Sequence, residues 1–178
     1  MIRVCVTGPE STGKTTLARR LAEHFGGPWA PEGARVYAER VKRELTKRDV
    51  SPIAREEMAL DEAAMSAGRA AEAPLVVLDT DLISTMVYAR HYYGSIPSWL
   101  DAEEKRRRSH LYLLCDVDYP WMGDDPIRDA GQDRAAMHAR FREALERRRL
   151  PYVEVRGDDE QRWEIARQAV ERSLRRDR

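Results

Sequence analysis

Asparagine is absent from this 178-residue chain, and only four of its 31 basic residues are lysines: Lys14, Lys42, Lys47 and Lys105. Scarce amides fit thermal adaptation, and a biased genome composition accounts for the same feature. Charge of either sign is not in excess, because 31 basic residues balance 31 acidic ones. This removes any global pull toward nucleic acid or an anionic membrane. Long apolar runs are missing. Runs such as Leu75-Val76-Val77-Leu78 are far shorter than the roughly 20 residues a membrane-spanning helix needs. The N-terminus reads straight into a strand, so no signal peptide is expected. There are only two cysteines, Cys5 and Cys115. Without a spacing motif they suggest neither a disulfide framework nor a metal site, and both fall in expected buried strands. The four histidines are scattered without ligand spacing. These features together predict a cytoplasmic protein with no nucleic-acid or membrane partner.

Against this background one stretch stands out: Gly8-Pro9-Glu10-Ser11-Thr12-Gly13-Lys14-Thr15. It reads G-x-x-x-x-G-K-[ST], the phosphate-binding loop. A β-branched segment, Ile2 to Thr7, precedes it. A helical segment follows, with Leu17, Leu21 and Phe25 at four-residue spacing. The motif therefore sits between strand and helix, as its chemistry requires. Gly8 and Gly13 let the backbone curl so that amides of Glu10, Ser11, Thr12, Lys14 and Thr16 can face phosphate oxygens. The helix adds its positive end. Lys14 is expected to reach the β- and γ-phosphates of ATP, and the Thr15 hydroxyl to ligate Mg²⁺.

The rest of the chain alternates strand and helix. A short second strand is expected at Trp29-Ala30, with a helix over 33–47. Ser51-Pro52 reads as the start of an Ala-rich helix, Ser51 its cap and Leu60, Ala63, Ala64 and Ala67 on one face. Strands are expected at 75–78, 110–115 and 151–155. Helices are expected at 82–93, 97–108, 134–149 and 158–175. Residues 116–133 read as a loop. Five strands alternating with helices predict a single α/β domain spanning 1–178, a three-layer P-loop NTPase fold with a mostly parallel five-stranded sheet.

In such sheets ligands bind at the carboxyl ends of the strands. Asp79 ends the third strand and is expected to hold Mg²⁺ with Thr15. Asp81 either caps the following helix or contacts a substrate. Glu32 follows the second strand, placed to orient or deprotonate an attacking hydroxyl. Arg35, three residues on, shares its side of the turn and could bind the acceptor or a phosphate. The segment 119–134 is expected to be a lid. Its Arg128 would bring charge to the transferring phosphoryl, and Trp121 would contact substrate.

Taken together, Gly8 to Leu17, Pro31-Glu32-Gly33-Ala34-Arg35, Asp79-Thr80-Asp81, and Tyr119-Pro120-Trp121 through Arg128 and Arg134 resemble the nicotinamide riboside kinase domain of NadR-type NAD-biosynthesis proteins. The resemblance implies ATP- and Mg²⁺-dependent phosphorylation of nicotinamide riboside to the mononucleotide. Larger family members also carry a DNA-binding helix-turn-helix and an adenylyltransferase domain; 178 residues leave room for neither, so repression and adenylyl transfer are expected to be absent. The chain departs from the family pattern at Gly33, Val36, Met86, Tyr88 and Pro126. Those positions bear on the base of the acceptor. A kinase for another nucleoside therefore remains an alternative, as does an ATPase that acts as a nucleotide-dependent regulator.

Overall fold

A computed structural model describes residues 1–118 and 134–177. Its strands are β1 (Ile2–Thr7), β2 (Trp29–Ala30), β3 (Leu75–Asp79), β4 (Leu111–Cys115) and β5 (Tyr152–Val155). Its helices are α1 (Lys14–Phe25), α2 (Gly33–Val41), α3 (Val50–Ala70), α4 (Leu82–Tyr93), α5 (Leu100–Arg106), α6 (Arg134–Arg147) and α7 (Asp159–Arg176). The strands form one sheet in the order β2-β3-β1-β4-β5, with every pairing parallel.

Side-chain alternation along the strands creates two apolar faces. Val4, Val6, Leu75, Val77 and Leu113 point to one face, packed by Leu17 and Leu21 of α1 and Ala166 and Val170 of α7. Cys5, Val76, Leu78, Tyr112 and Leu114 point to the other, covered by α3, α4 and α6 through Ala64, Ile83, Val87 and Phe141. With both faces covered, all five residues of β3 are buried, as are all five of β4. Cys5 and Cys115 lie in this core as free thiols, and burial pushes the Cys115 thiol up to about 11. Among the described residues no helix is long and apolar enough to cross a membrane.

Three local expectations differ from the structure. The helix over 33–47 stops at Val41, where Lys42 turns left-handed (φ 50°) and its amide bonds the Ala38 carbonyl. Ser51 is not the cap of α3. A short 3₁₀ turn, Lys47–Asp49, leads into that helix, and Thr46 and Asp49 bond each other's backbone in a capping box. The inward face of α3 is Ile53, Ala54, Glu57, Asp61, Ala64 and Gly68, while Ala63 and Ala67 are exposed.

Two buried carboxyls on one helix are unusual. Glu57 Oε2 accepts the Gly33 amide at 2.7 Å, and burial pushes its titration far up. Asp61 is 2% exposed and its Oδ1 has no hydrogen-bond partner. Burial, followed by the charge of Asp81, raises it to about 7 from the ordinary 3.8. Below about pH 4 both folded and unfolded chains hold this proton. As pH rises through 7 the unfolded chain has lost it and the folded one resists, so stability falls over that window, by on the order of 4 kcal/mol. Asp61→Asn removes the ionisation. Its melting midpoint is expected to exceed the parent's by on the order of 10 °C at pH 8, with the gain shrinking toward pH 4. Calorimetry across that range checks this; a gain that does not change with pH would contradict it.

Candidate active site

The loop between β1 and α1 leaves the sheet where the strand order reverses, between β3 and β4, the place where open α/β sheets bind ligands. Gly8 (φ 132°) passes so close to β4 that a Cβ there would lie 2.7 Å from the Cys115 carbonyl oxygen. No side chain fits that approach. Further on, Ser11 (φ 53°) and Gly13 (φ 75°) are left-handed on either side of Thr12. Alternation of this kind turns successive amides to one side and makes an anion-binding nest. No side chain caps α1, so its first-turn amides keep their donors for a ligand. Within the loop, Lys14 Nζ donates to the Pro9 carbonyl at 2.6 Å and Thr12 Oγ1 donates to the same oxygen at 2.8 Å.

Parallel pairing sets Val6 beside Asp79, and this register brings the β3 carboxylate to the loop. Thr15 Oγ1 donates to Asp79 Oδ2 at 2.5 Å. Asp79 is 1% exposed, and its Oδ1 is buried without a hydrogen-bond partner. Burial pushes its titration up, while the Thr15 bond and the Lys14 charge hold it back. A hydroxyl and a carboxylate in contact, with one carboxylate oxygen still wanting a partner, fit a hard cation such as Mg²⁺. Among the described residues no group of three or more His, Cys, Asp or Glu side chains forms a metal cage. The donor set therefore suits a cation shared with phosphate oxygens.

The residue after Asp79 carries strain. Thr80 is β-branched yet left-handed (φ 73°), held by its amide bond to the Val6 carbonyl at 2.9 Å. Such a residue costs on the order of 1–3 kcal/mol, a cost typical of functional sites.

Glu32 lies two residues past β2, at the N-cap position of α2, and its carboxylate lies 3.6 Å from Arg35. Both charges act on Asp79, Glu32 raising its titration and Arg35 lowering it. The structure thus gathers Lys14, Thr15, Asp79, Glu32 and Arg35 at one sheet edge. The start of α2 is fixed from below. The Gly33 amide donates to Glu57, and a Cβ on Gly33 would stand 2.6 Å from Glu57 Oε2 and 2.7 Å from its backbone nitrogen. This explains glycine at a position where a larger residue is expected.

Asp81 shows the cap role of the two open to it. Its Oδ1 accepts the Ile83 amide and its Oδ2 the Tyr112 hydroxyl, each at 2.9 Å, and it is 5% exposed. Burial raises it to about 6. Met86 is fully buried between α3, α4 and α5. Tyr88 is half-buried, edge-on to Phe141 and stacked on Tyr92. Trp121 and Arg128 lie outside the described residues, as does all of the expected lid except Arg134.

One residue escaped sequence reading. Arg162 of α7 is 4% exposed and reaches the loop, its Nη1 donating to the Thr12 carbonyl at 3.2 Å. The signal was its position four residues before Ala166 and eight before Val170, a charge on the buried stripe.

Comparison with known proteins agrees with this architecture. The curated NadR proteins of Salmonella typhimurium and Escherichia coli K12, each called a trifunctional NAD biosynthesis/regulator protein, are 28% and 27% identical over 169 residues. Each match covers 88% of this chain, which spans 38% of the length of either relative. A crystal structure of a NadR protein in complex with NR superposes with a TM-score of 0.76 at 26% identity, covering 97% of this chain and 51% of that one. Deoxyadenosine kinase from M. mycoides with bound dATP shares the fold, with a TM-score of 0.62 at 12% identity, covering 96% of this chain and 100% of that one. Residues 3–162 match the AAA domain model AAA_28, and the chain belongs to that family.

Proposed function

We propose that this chain is an ATP- and Mg²⁺-dependent kinase that phosphorylates the ribose 5′-hydroxyl of nicotinamide riboside, releasing ADP and nicotinamide mononucleotide. The Thr15–Asp79 contact at the mouth of the loop carries the reading, with Lys14, Glu32 and Arg35 all near enough to act on Asp79. The NR bound to a NadR relative supports the choice of acceptor. The reading makes the chain a phosphotransferase.

The loop amides and the α1 amino end hold the β- and γ-phosphates. Lys14 neutralises charge that builds as the γ-phosphoryl moves. Thr15 and Asp79 would hold Mg²⁺, which neutralises phosphate charge and fixes the phosphate oxygens. Glu32 orients the 5′-hydroxyl and receives its proton as the oxygen bonds to phosphorus. The bond from phosphorus to the β–γ bridging oxygen breaks, and ADP leaves with that electron pair. Arg35 holds Glu32 in place and offers charge to the acceptor side. By the sequence expectation, Arg128 would bring charge to the transferring phosphoryl and Trp121 would contact the substrate. Asp81, its carboxylate already used as a cap, supports the α4 start rather than the substrate.

A second reading, a kinase for another nucleoside, draws on Met86 and Tyr88. Met86 lies in the core, and Tyr88 is stacked on Tyr92 and edge-on to Phe141. ADP release, measured with nicotinamide riboside, deoxyadenosine, thymidine or no acceptor, separates the cases. Strongest stimulation by nicotinamide riboside, with the 5′-monophosphate as product, is expected. Stimulation only by another nucleoside selects the second reading. Slow hydrolysis that no acceptor stimulates selects a nucleotide-dependent regulator.

A further inference from the structure

Arg162 joins three separate segments through one guanidinium. Its Nε donates to the Gly157 carbonyl at 2.9 Å and its Nη2 to the Asp116 carbonyl at 2.9 Å. Nη2 also pairs with the Asp118 carboxylate, and Nη1 donates to the Thr12 carbonyl at 3.2 Å. One guanidinium thus joins the phosphate loop, the exit of β4 and the turn before α7. A buried arginine needs such partners, because desolvating its charge is costly otherwise.

The Thr12 contact bears on the site. In a trans peptide the C=O and the following N–H point in opposite directions, and no peptide among the described residues is cis. With the Thr12 oxygen drawn toward α7, the Gly13 N–H must point away from α7. Beside it, Arg134 Nη2 donates to the Ser11 carbonyl at 3.2 Å, which in the same way turns the Thr12 N–H. These two amides belong to the stretch bracketed by left-handed Ser11 and Gly13. A cation on the carbonyl also polarises the peptide and makes its N–H a better donor.

We propose that Arg162, with Arg134 beside it, is a positioning residue for phosphoryl transfer: the two guanidinium groups hold the Ser11 and Thr12 carbonyls outward and so aim the next amides at the nucleotide phosphates. This deepens the kinase reading and rests on it. Neither residue is assigned a contact with the acceptor. Lysine cannot replace Arg162. Its single ammonium has no planar fork to meet four acceptors at once.

The test uses the full chain with Arg162→Lys and Arg162→Gln, each checked for folding by circular dichroism and assayed well below its melting midpoint. Mg-ADP affinity is expected to weaken tenfold or more in both. In turnover, kcat should fall and the KM for ATP should rise, while the KM of the acceptor stays within twofold. Folded variants that bind Mg-ADP like the parent, or that lose acceptor and ATP affinity equally, overturn the proposal. If neither Arg162 variant folds, Arg134→Gln carries the test, and parental Mg-ADP affinity in that variant overturns it. Nucleotide binding is read without an acceptor, so a parent that phosphorylates no nucleoside would defeat the kinase reading while leaving this result legible.

Discussion

Lys14→Ala is expected to lower kcat by on the order of a thousandfold, the scale seen when one preorganised charge-stabilising donor is removed. The ammonium is buried inside the loop, 2.6 Å from the Pro9 carbonyl and close enough to Asp79 to lower its titration. No other lysine lies in the loop. Alanine leaves the backbone nest in place, so nucleotide still binds, more weakly. The loss therefore falls mostly on the step in which charge moves between phosphates. Steady-state turnover together with Mg-ATP binding separates the two effects. A variant with parental turnover would remove Lys14 from the mechanism, and with it the kinase reading.

Glu32→Gln is expected to reduce kcat by roughly 10²–10⁴, the range for loss of a positioned general base, with ATP affinity nearly unchanged. The glutamine keeps the size of the side chain and leaves the Gly33–Glu57 bond untouched, so the start of α2 should hold. Removing the negative charge also relieves Asp79, whose titration Glu32 pushes up. Asp79 then ionises more readily, and its grip on a cation does not suffer. A fall in kcat is for this reason assignable to the acceptor hydroxyl and not to the metal pair. If ATP affinity falls while kcat holds, Glu32 is not the base.

Much of this site was legible in the chain. The run from Gly8 to Thr15 stood between a strand and a helix, and the structure keeps both, at Ile2–Thr7 and Lys14–Phe25. Asp79 and Glu32 stand out as strand-end carboxylates because continuous apolar or short β segments precede them, and Asp79 meets Thr15 of the loop while Glu32 acts on Asp79. Less was legible around α3. Alanine suits surface and core alike, so Ala63 and Ala67 suggested a face that the structure exposes. The buried positions belong instead to Glu57 and Asp61, which composition places outside. Glycine at position 33 is a departure in the sequence alone, and the structure accounts for it by the Glu57 side chain and backbone packed against it. Arg162 was hidden by the abundance of arginine, since only burial distinguishes it from its neighbours.

The sequence by itself determined the fold class, the phosphate loop and the carboxylates at the strand ends. These follow from local spacing: glycines at set offsets, alternation along strands and apolar repeats along helices. Only the tertiary structure decided which of these groups meet. The order β2-β3-β1-β4-β5 sets Asp79 against Thr15 and brings the start of α2 over Glu57. It also carries Arg162 back across 150 residues of chain to the Thr12 carbonyl. Contacts at such separation depend on strand order and register, which local periodicity does not encode.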